Sequence, residues 1–275
     1  MNPWLETLGV VVVAILGIVL GRLFSRLKSP FWVCGYLVGL SLIAIMATAR
    51  FYNCLMFTPP VCWFTAGRFR FVALALAVTM GLITPLSRLP YKFEKAIVCL
   101  LMVIVVGWSS VMPFLFPALI KDELLSTKTL LDTEGICYQT KDYTCGPAAA
   151  VTALGRLGLT AHEGEIAVLA HTSPIVGTLP ACLSKALEGR YGQEGLTCHY
   201  RKFDSVAQLK NAGVILAVVK DSLLTDHCVA VLGVSDNMVT IADPVSGIRY
   251  FSHAQFEQMW RFAGIVLSRV TTAEI

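Results

Sequence analysis

The spacing of polar positions divides the chain near residue 120. Before that point three stretches carry no charge at all, residues 31–49, 71–87 and 96–120, and residues 4–21 carry only Glu6 near one end. A helix needs about 20 mostly apolar residues to cross the hydrocarbon core of a bilayer, so these read as about four spans. A fifth uncharged stretch, 51–67, has Pro59-Pro60 in its middle, which breaks a helix; it is expected to form an apolar loop or a shallow interfacial hairpin. After residue 120 the pattern shortens. Residues 145–158, 162–170, 179–188 and 253–260 read as helices, with a short one at 205–211. Residues 196–200, 214–219, 227–234, 238–242, 248–251 and 265–270 read as strands, with Ser235-Asp236-Asn237 as a turn. Helices precede an antiparallel sheet, which is an α+β arrangement.

Composition sharpens the division. Only 15% of the 275 residues are charged and 56% are hydrophobic, against about 25% and 45–50% in soluble domains. Residues 1–120 hold nine Lys/Arg and two Glu, and residues 121–275 hold 13 Lys/Arg and 16 Asp/Glu, so the net charge of +4 is +7 on one part and −3 on the other. The expected organisation is a transmembrane anchor region at 1–120, a polar linker at 121–136 and a soluble domain at 137–272. Lys/Arg in the loops fall six on one side and five on the other, which does not orient the spans. No acidic, Lys or His residue lies deep in a span, which favours an anchor over a transporter or channel. Gly17-x3-Gly21 and Gly35-x3-Gly39 fit the small-residue pattern of close helix packing.

Nine cysteines are scattered without a C-x-x-C pair, so neither a zinc ribbon nor a thioredoxin-type site is expected, and no metal or other cofactor is implied. Cys54 and Cys62 bracket the Pro-Pro loop and are placed to pair if it faces an oxidising compartment. His162, His171, His199 and His253 lack ligand spacing, and Cys137, Cys182 and Cys228 read as packing residues. The net negative charge of the second part argues against nucleic acid, and no G-x-x-x-x-G-K-[ST] phosphate loop is present.

Three positions in the second part combine into chemistry. Cys145 opens a helix, where free backbone N–H groups and the helix dipole favour an anion, and the thiolate is the nucleophilic form of cysteine. The alternative is a small packing cysteine at a helix start. His227 begins an apolar strand, where a satisfied core histidine is the plain reading. Asp243-Pro244 ends the next strand, where Asp-Pro is commonly just a turn. On neighbouring antiparallel strands, however, His227 and Asp243 are close enough to touch, and Cys, His and an orienting acid form a nucleophilic triad.

Together Gln139-x5-Cys145-Gly146, His227 at the start of a strand and Asp243-Pro244 about sixteen residues on resemble the bacteriocin-processing, double-glycine leader peptidases. The similarity extends over about residues 132–270, through Gly247-Ile-Arg-Tyr-Phe and the helix ending at Trp260. It implies a papain-like α+β cysteine peptidase domain, which here would follow the all-α transmembrane region read from the hydropathy pattern. It also implies roles: Cys145 as nucleophile, His227 as general base and then acid, Asp243 orienting the imidazole, and Gln139 donating to the oxyanion beside the Cys145 N–H. The implied substrate is a peptide or leader-bearing peptide. The implied partners are a lipid bilayer and a separate peptide exporter, since the family often forms the N-terminal domain of ABC exporters and this chain has no phosphate loop. The implied location is a bacterial plasma membrane, with the peptidase on the cytoplasmic side by family analogy. Two features depart from the family: Thr144 stands where an acid is common, and the membrane region precedes the peptidase. Two other functions use the same residues, a non-hydrolytic module binding a peptide or exporter and an acyl or γ-glutamyl transferase acting through the same thiol. A degenerate binder tends to lose the thiol, and all four key residues are retained here.

Overall fold

The computed structural model describes residues 3–28, 30–65, 67–222 and 225–270, apart from the side chains of Arg50, Asn53 and Cys54. The chain forms two compact units, Met1–Leu119 and Ile120–Ile275.

The first unit is helical: α1 (Pro3–Ser25), α2 (Trp32–Phe51), α3 (Val61–Thr65), α4 (Phe69–Leu86), α5 (Lys92–Val106) and α6 (Met112–Leu119). Four segments are long and apolar enough to cross a membrane, with Lys92–Leu119 counting as one. The fourth is not a continuous α-helix. A π-helical turn at Gly107–Val111 separates α5 from α6, ending two residues before Pro113, whose ring and missing N–H disrupt regular helix there. Residues 51–67 hold a 3-10 turn at Asn53–Phe57 and five-residue α3, both far too short to cross. Cys62 is a free thiol; the Cys54 side chain lies outside the described residues.

Helix α4 is the centre of this unit, and both glycine pairs serve it. A Cβ on Gly17 would lie 2.0 Å from Thr79 Oγ1, and one on Gly39 would lie 2.7 Å from the Ala77 carbonyl. The glycines therefore let α1 and α2 approach the α4 backbone within this chain. Thr79 and Thr84 donate back to Ala75 O (2.6 Å) and Met80 O (2.7 Å), so their hydroxyls are satisfied inside the bundle. Glu6 pairs with Arg68, whose guanidinium lies 4.3 Å from the centre of the Phe114 ring.

The second unit starts in the stretch expected to be a linker. It holds α7 (Lys121–Leu125) and β1 (Leu130–Leu131), which pairs with β2 (Cys137–Tyr138). Leu124 is buried, and a Cβ on Gly164 would lie 2.0 Å from the Leu124 carbonyl, so α7 docks tightly on its neighbour. Helices α8 (Cys145–Arg156), α9 (Glu163–Leu169) and α10 (Pro180–Tyr191) follow. Next come β3 (Leu196–Lys202), β4 (Val214–Lys220), β5 (Asp226–Val234), β6 (Met238–Asp243), β7 (Gly247–Ser252), α11 (His253–Met259) and β8 (Trp260–Arg269). Strand β8 begins five residues earlier than expected, because the apolar run from Trp260 onward is extended and does not continue the helix.

The six strands β3–β8 form one antiparallel sheet in the order β3-β8-β4-β5-β6-β7. Its two faces carry separate cores. On one, Ala148, Ala149, Ala150 and Leu154 of α8 pack on Leu216, Ala230, Ala242 and Ile265. The alanines bring α8 close to the strands. On the other, Phe203, Phe256 and Trp260 cover Val219, Val229, Val231 and Ile241. The sheet thus holds the start of α8 beside the ends of β5 and β6.

Candidate active site

The site begins with a rigid turn. Thr144 is buried; its N–H and hydroxyl both donate to Lys141 O (3.1 and 2.9 Å), and its oxygen accepts the Lys141 N–H at 3.1 Å. The Thr144 side chain is therefore spent on closing this turn, which sets the register of the first helical residue, Cys145. The first N–H groups of a helix have no intrahelical acceptor, and Pro147 has none to offer, so Cys145 and Gly146 present the free donors here. A Cβ on Gly146 would lie 2.9 Å from Thr178 Cβ, so the loop before α10 lies directly against the start of α8.

Strands β5 and β6 supply the other two members. His227 Nε2 lies 2.8 Å from Asp243 Oδ1. Cys145, half-buried and a free cysteine, is close enough to act on the same ring electrostatically. Asp243 is itself fixed: the Val245 N–H donates to Oδ1 at 2.9 Å and the Ser246 hydroxyl to Oδ2 at 2.6 Å. Arg249 Nη1 stands 3.9 Å from Oδ2. Asp226, next to His227, accepts from Arg261 Nε at 2.8 Å. Gln139 is tied to this group through its backbone, its N–H donating to Pro244 O at 2.9 Å. An open crevice of about 230 Å³ runs between residues 138–142 and Pro244-Val245, and Gln139 lines it. All four residues singled out from the sequence therefore lie in one neighbourhood. Ser246 and Val245 were not anticipated, although a serine three residues after an Asp-Pro turn is where an Asp side chain finds a local donor.

Charge follows this geometry. Burial on its own pulls the His227 imidazole down. Its interactions with Asp243 and with Cys145 outweigh it and hold the ring up to about 10. For Asp243, burial raises the carboxyl, and the bonds from His227, Ser246 and the Val245 N–H overcome this and hold it well below the usual carboxylate range. Cys228 shares α8's core, and burial, then the nearby Cys145, pushes its thiol up. Burial likewise raises Cys137 and Cys198 to about 12. His253 Nε2 lies 3.0 Å from Ser235 O, and among the described residues no three His, Cys, Asp or Glu side chains gather as metal ligands.

A raised imidazole binds its proton more tightly folded than unfolded, so its contribution to stability is full below about pH 6.5 and disappears as pH rises through about 10. The depressed Asp243 contributes above its ordinary value of 3.8 and loses that as pH falls. Asp243→Asn is therefore expected to flatten both limbs of the thermal midpoint against pH; a profile identical to wild type contradicts the pairing.

The family described as Peptidase C39 matches residues 133–274, just over half of the chain. The chain belongs to the Peptidase C39 family. An uncharacterized protein of Methanothermobacter marburgensis is 32% identical over 129 residues, 46% of this chain and 82% of that protein. Among solved structures, the peptidase domain of Streptococcus ComA, a bi-functional ABC transporter involved in quorum sensing, is 23% identical. The similarity covers 48% of this chain and 96% of that one, with a TM-score of 0.42. A double glycine motif protease from an AMS/PCAT transporter, solved with its leader peptide, is 14% identical over 53% and 96%, with a TM-score of 0.41. The second unit is accordingly a C39 papain-like domain, and an all-helical region precedes it.

Proposed function

We propose that this C39 chain is a membrane-anchored cysteine peptidase that hydrolyses a peptide bond in a leader-bearing peptide through Cys145, His227 and Asp243. The observation that carries the reading is the His227 ring, held by Asp243 through Nε2 at 2.8 Å and acted on by both Asp243 and Cys145. His227 takes the thiol proton, and the thiolate attacks the scissile carbonyl carbon. The oxyanion is met by the Cys145 N–H and the Gln139 carboxamide. The imidazolium then protonates the leaving amine as the C–N bond breaks, leaving a thioester. Water, deprotonated by His227, attacks the thioester, and the thiol is restored with a carboxylate product. Asp243 keeps the ring in the productive orientation throughout. Every proton and electron pair in this sequence is handled by groups of the chain and by water.

The four apolar helices support residues 1–120 as the anchor, with residues 137–272 as the peptidase. A separate peptide exporter is the partner that the family resemblance implies for this reading. The test is full-length protein in detergent, incubated with synthetic double-glycine leader peptides and read by mass spectrometry. Two fragments whose summed mass exceeds the substrate by one water are expected, and none with Cys145→Ala. Cleavage that persists in Cys145→Ala contradicts the reading. An acyl fragment joined to an added amine identifies a transferase.

A further inference from the structure

Glu163, the first residue of α9, is completely buried. Its Oε1 accepts two hydrogen bonds from one residue, the Thr140 N–H at 3.0 Å and the Thr140 hydroxyl at 3.1 Å. Its Oε2 is buried with no hydrogen-bond partner among the described residues. Its own N–H donates to Thr129 Oγ1 at 3.0 Å, which fixes the base of the side chain. A carboxylate shut away from water with half of its acceptor capacity unused is costly, and apolar replacements of buried charge are often neutral or stabilising. Stability alone therefore does not account for this group.

Its location does. Thr140 follows Gln139, and Gln139 is held on its other side by the bond from its N–H to Pro244 O. The Gln139 side-chain carbonyl oxygen is buried and has no hydrogen-bond partner among the described residues, so no bond at that atom steers the carboxamide. Its aim is set by the backbone at 139–140. That backbone is suspended between the residue after Asp243 and Glu163, while the Thr144 turn fixes the remaining distance to Cys145.

We infer that Glu163 is a positioning residue that aims the Gln139 carboxamide at the oxyanion by clamping Thr140. The inference rests on the peptidase reading above. The oxyanion exists only during acylation and deacylation, whereas alkylation of the thiol forms none. In the full-length protein, Glu163→Ala is expected to lower kcat for peptide cleavage at least about tenfold, within the range set by one oxyanion donor. KM is expected to stay within about threefold and Cys145 alkylation within about twofold of wild type. Glu163→Gln keeps the acceptor oxygen and is expected to stay within about threefold in kcat. In a Gln139→Ala background, Glu163→Ala is expected to add less than about twofold, because both act on one interaction.

Alkylation falling in step with cleavage, or losses that multiply in the double variant, would mean that Glu163 only holds the fold, and would overturn the inference. If Glu163→Ala does not fold, Thr140→Val removes the hydroxyl bond and is judged by the same criteria, with about a threefold loss expected. A wild type that neither cleaves peptide nor labels faster at Cys145 than at Cys182 overturns the peptidase reading and this inference together. That pattern is distinct from losses confined to Glu163 variants.

Discussion

Full-length protein carrying His227→Ala is expected to cleave peptide roughly 10⁴-fold more slowly than wild type. The imidazole acts in each half of the proposed reaction, as the acceptor of the thiol and water protons and as the donor to the leaving amine. Its Nε2 is held by Asp243 at 2.8 Å, and the ring is acted on by Cys145. His253 is engaged with Ser235 O, and His162 lies at the N-cap of α9. The loss is expected in kcat, with KM little changed, because the ring bears on reacting atoms and not on the remote parts of a peptide. Single-turnover kinetics on a leader peptide measure it, and a loss below about tenfold contradicts the assignment.

Gln139→Ala is expected to lower kcat by about 10²–10³-fold. This residue differs from the triad in what it leaves intact. It has no proton to transfer and touches neither His227 nor Asp243 through its side chain, so Cys145 is expected to react with small alkylating agents at the wild-type rate. The difference arises because charge develops on the carbonyl oxygen only after the thiolate attacks. Measuring kcat and the alkylation rate on the same preparation separates the two cases. A parallel fall in both would place Gln139 in the activation of the thiol and not in the binding of the oxyanion.

Much of this arrangement was legible in the residue pattern, and the failures have physical reasons. The strand at 214–219 and the helix at 145–158 announced themselves because a buried strand is continuously apolar and because Pro147 and Gly158 bracket the helix; Gly158 has a φ of +71°. Trp260 was expected to end a helix, yet it starts β8, since an aromatic run does not reveal where one period gives way to another. The stretch 121–136 was expected to be a linker because Lys121, Asp122 and Glu123 look solvated. Its fold depends on two buried side chains, Leu124 and Ile136, and on the absent Cβ of Gly164 forty residues after Leu124. The break between α5 and α6 was hidden because a π turn changes hydrogen bonding without changing hydrophobicity.

At the site, Cys145, His227 and Asp243 stood out because each chemistry needs its residue type at the end of an element, and Gln139 stood out only through the family resemblance. Ser246 and Glu163 did not. Their contributions lie in hydrogen bonds to Asp243 and Thr140, and neither bond leaves a repeat or a spacing in the sequence. The ring nitrogen that faces the acid was equally invisible, since it depends on the path of β5 and not on its composition.

The most direct measurement is the rate of Cys145 alkylation in the full chain at mildly acidic pH, followed cysteine by cysteine by mass spectrometry in wild type and His227→Ala. An assembled thiolate–imidazolium pair labels at Cys145 well ahead of Cys182, which is likewise half-buried, and that lead collapses when His227 is removed. Equal labelling of Cys145 and Cys182, unchanged by His227→Ala, would contradict the triad and with it the peptidase account.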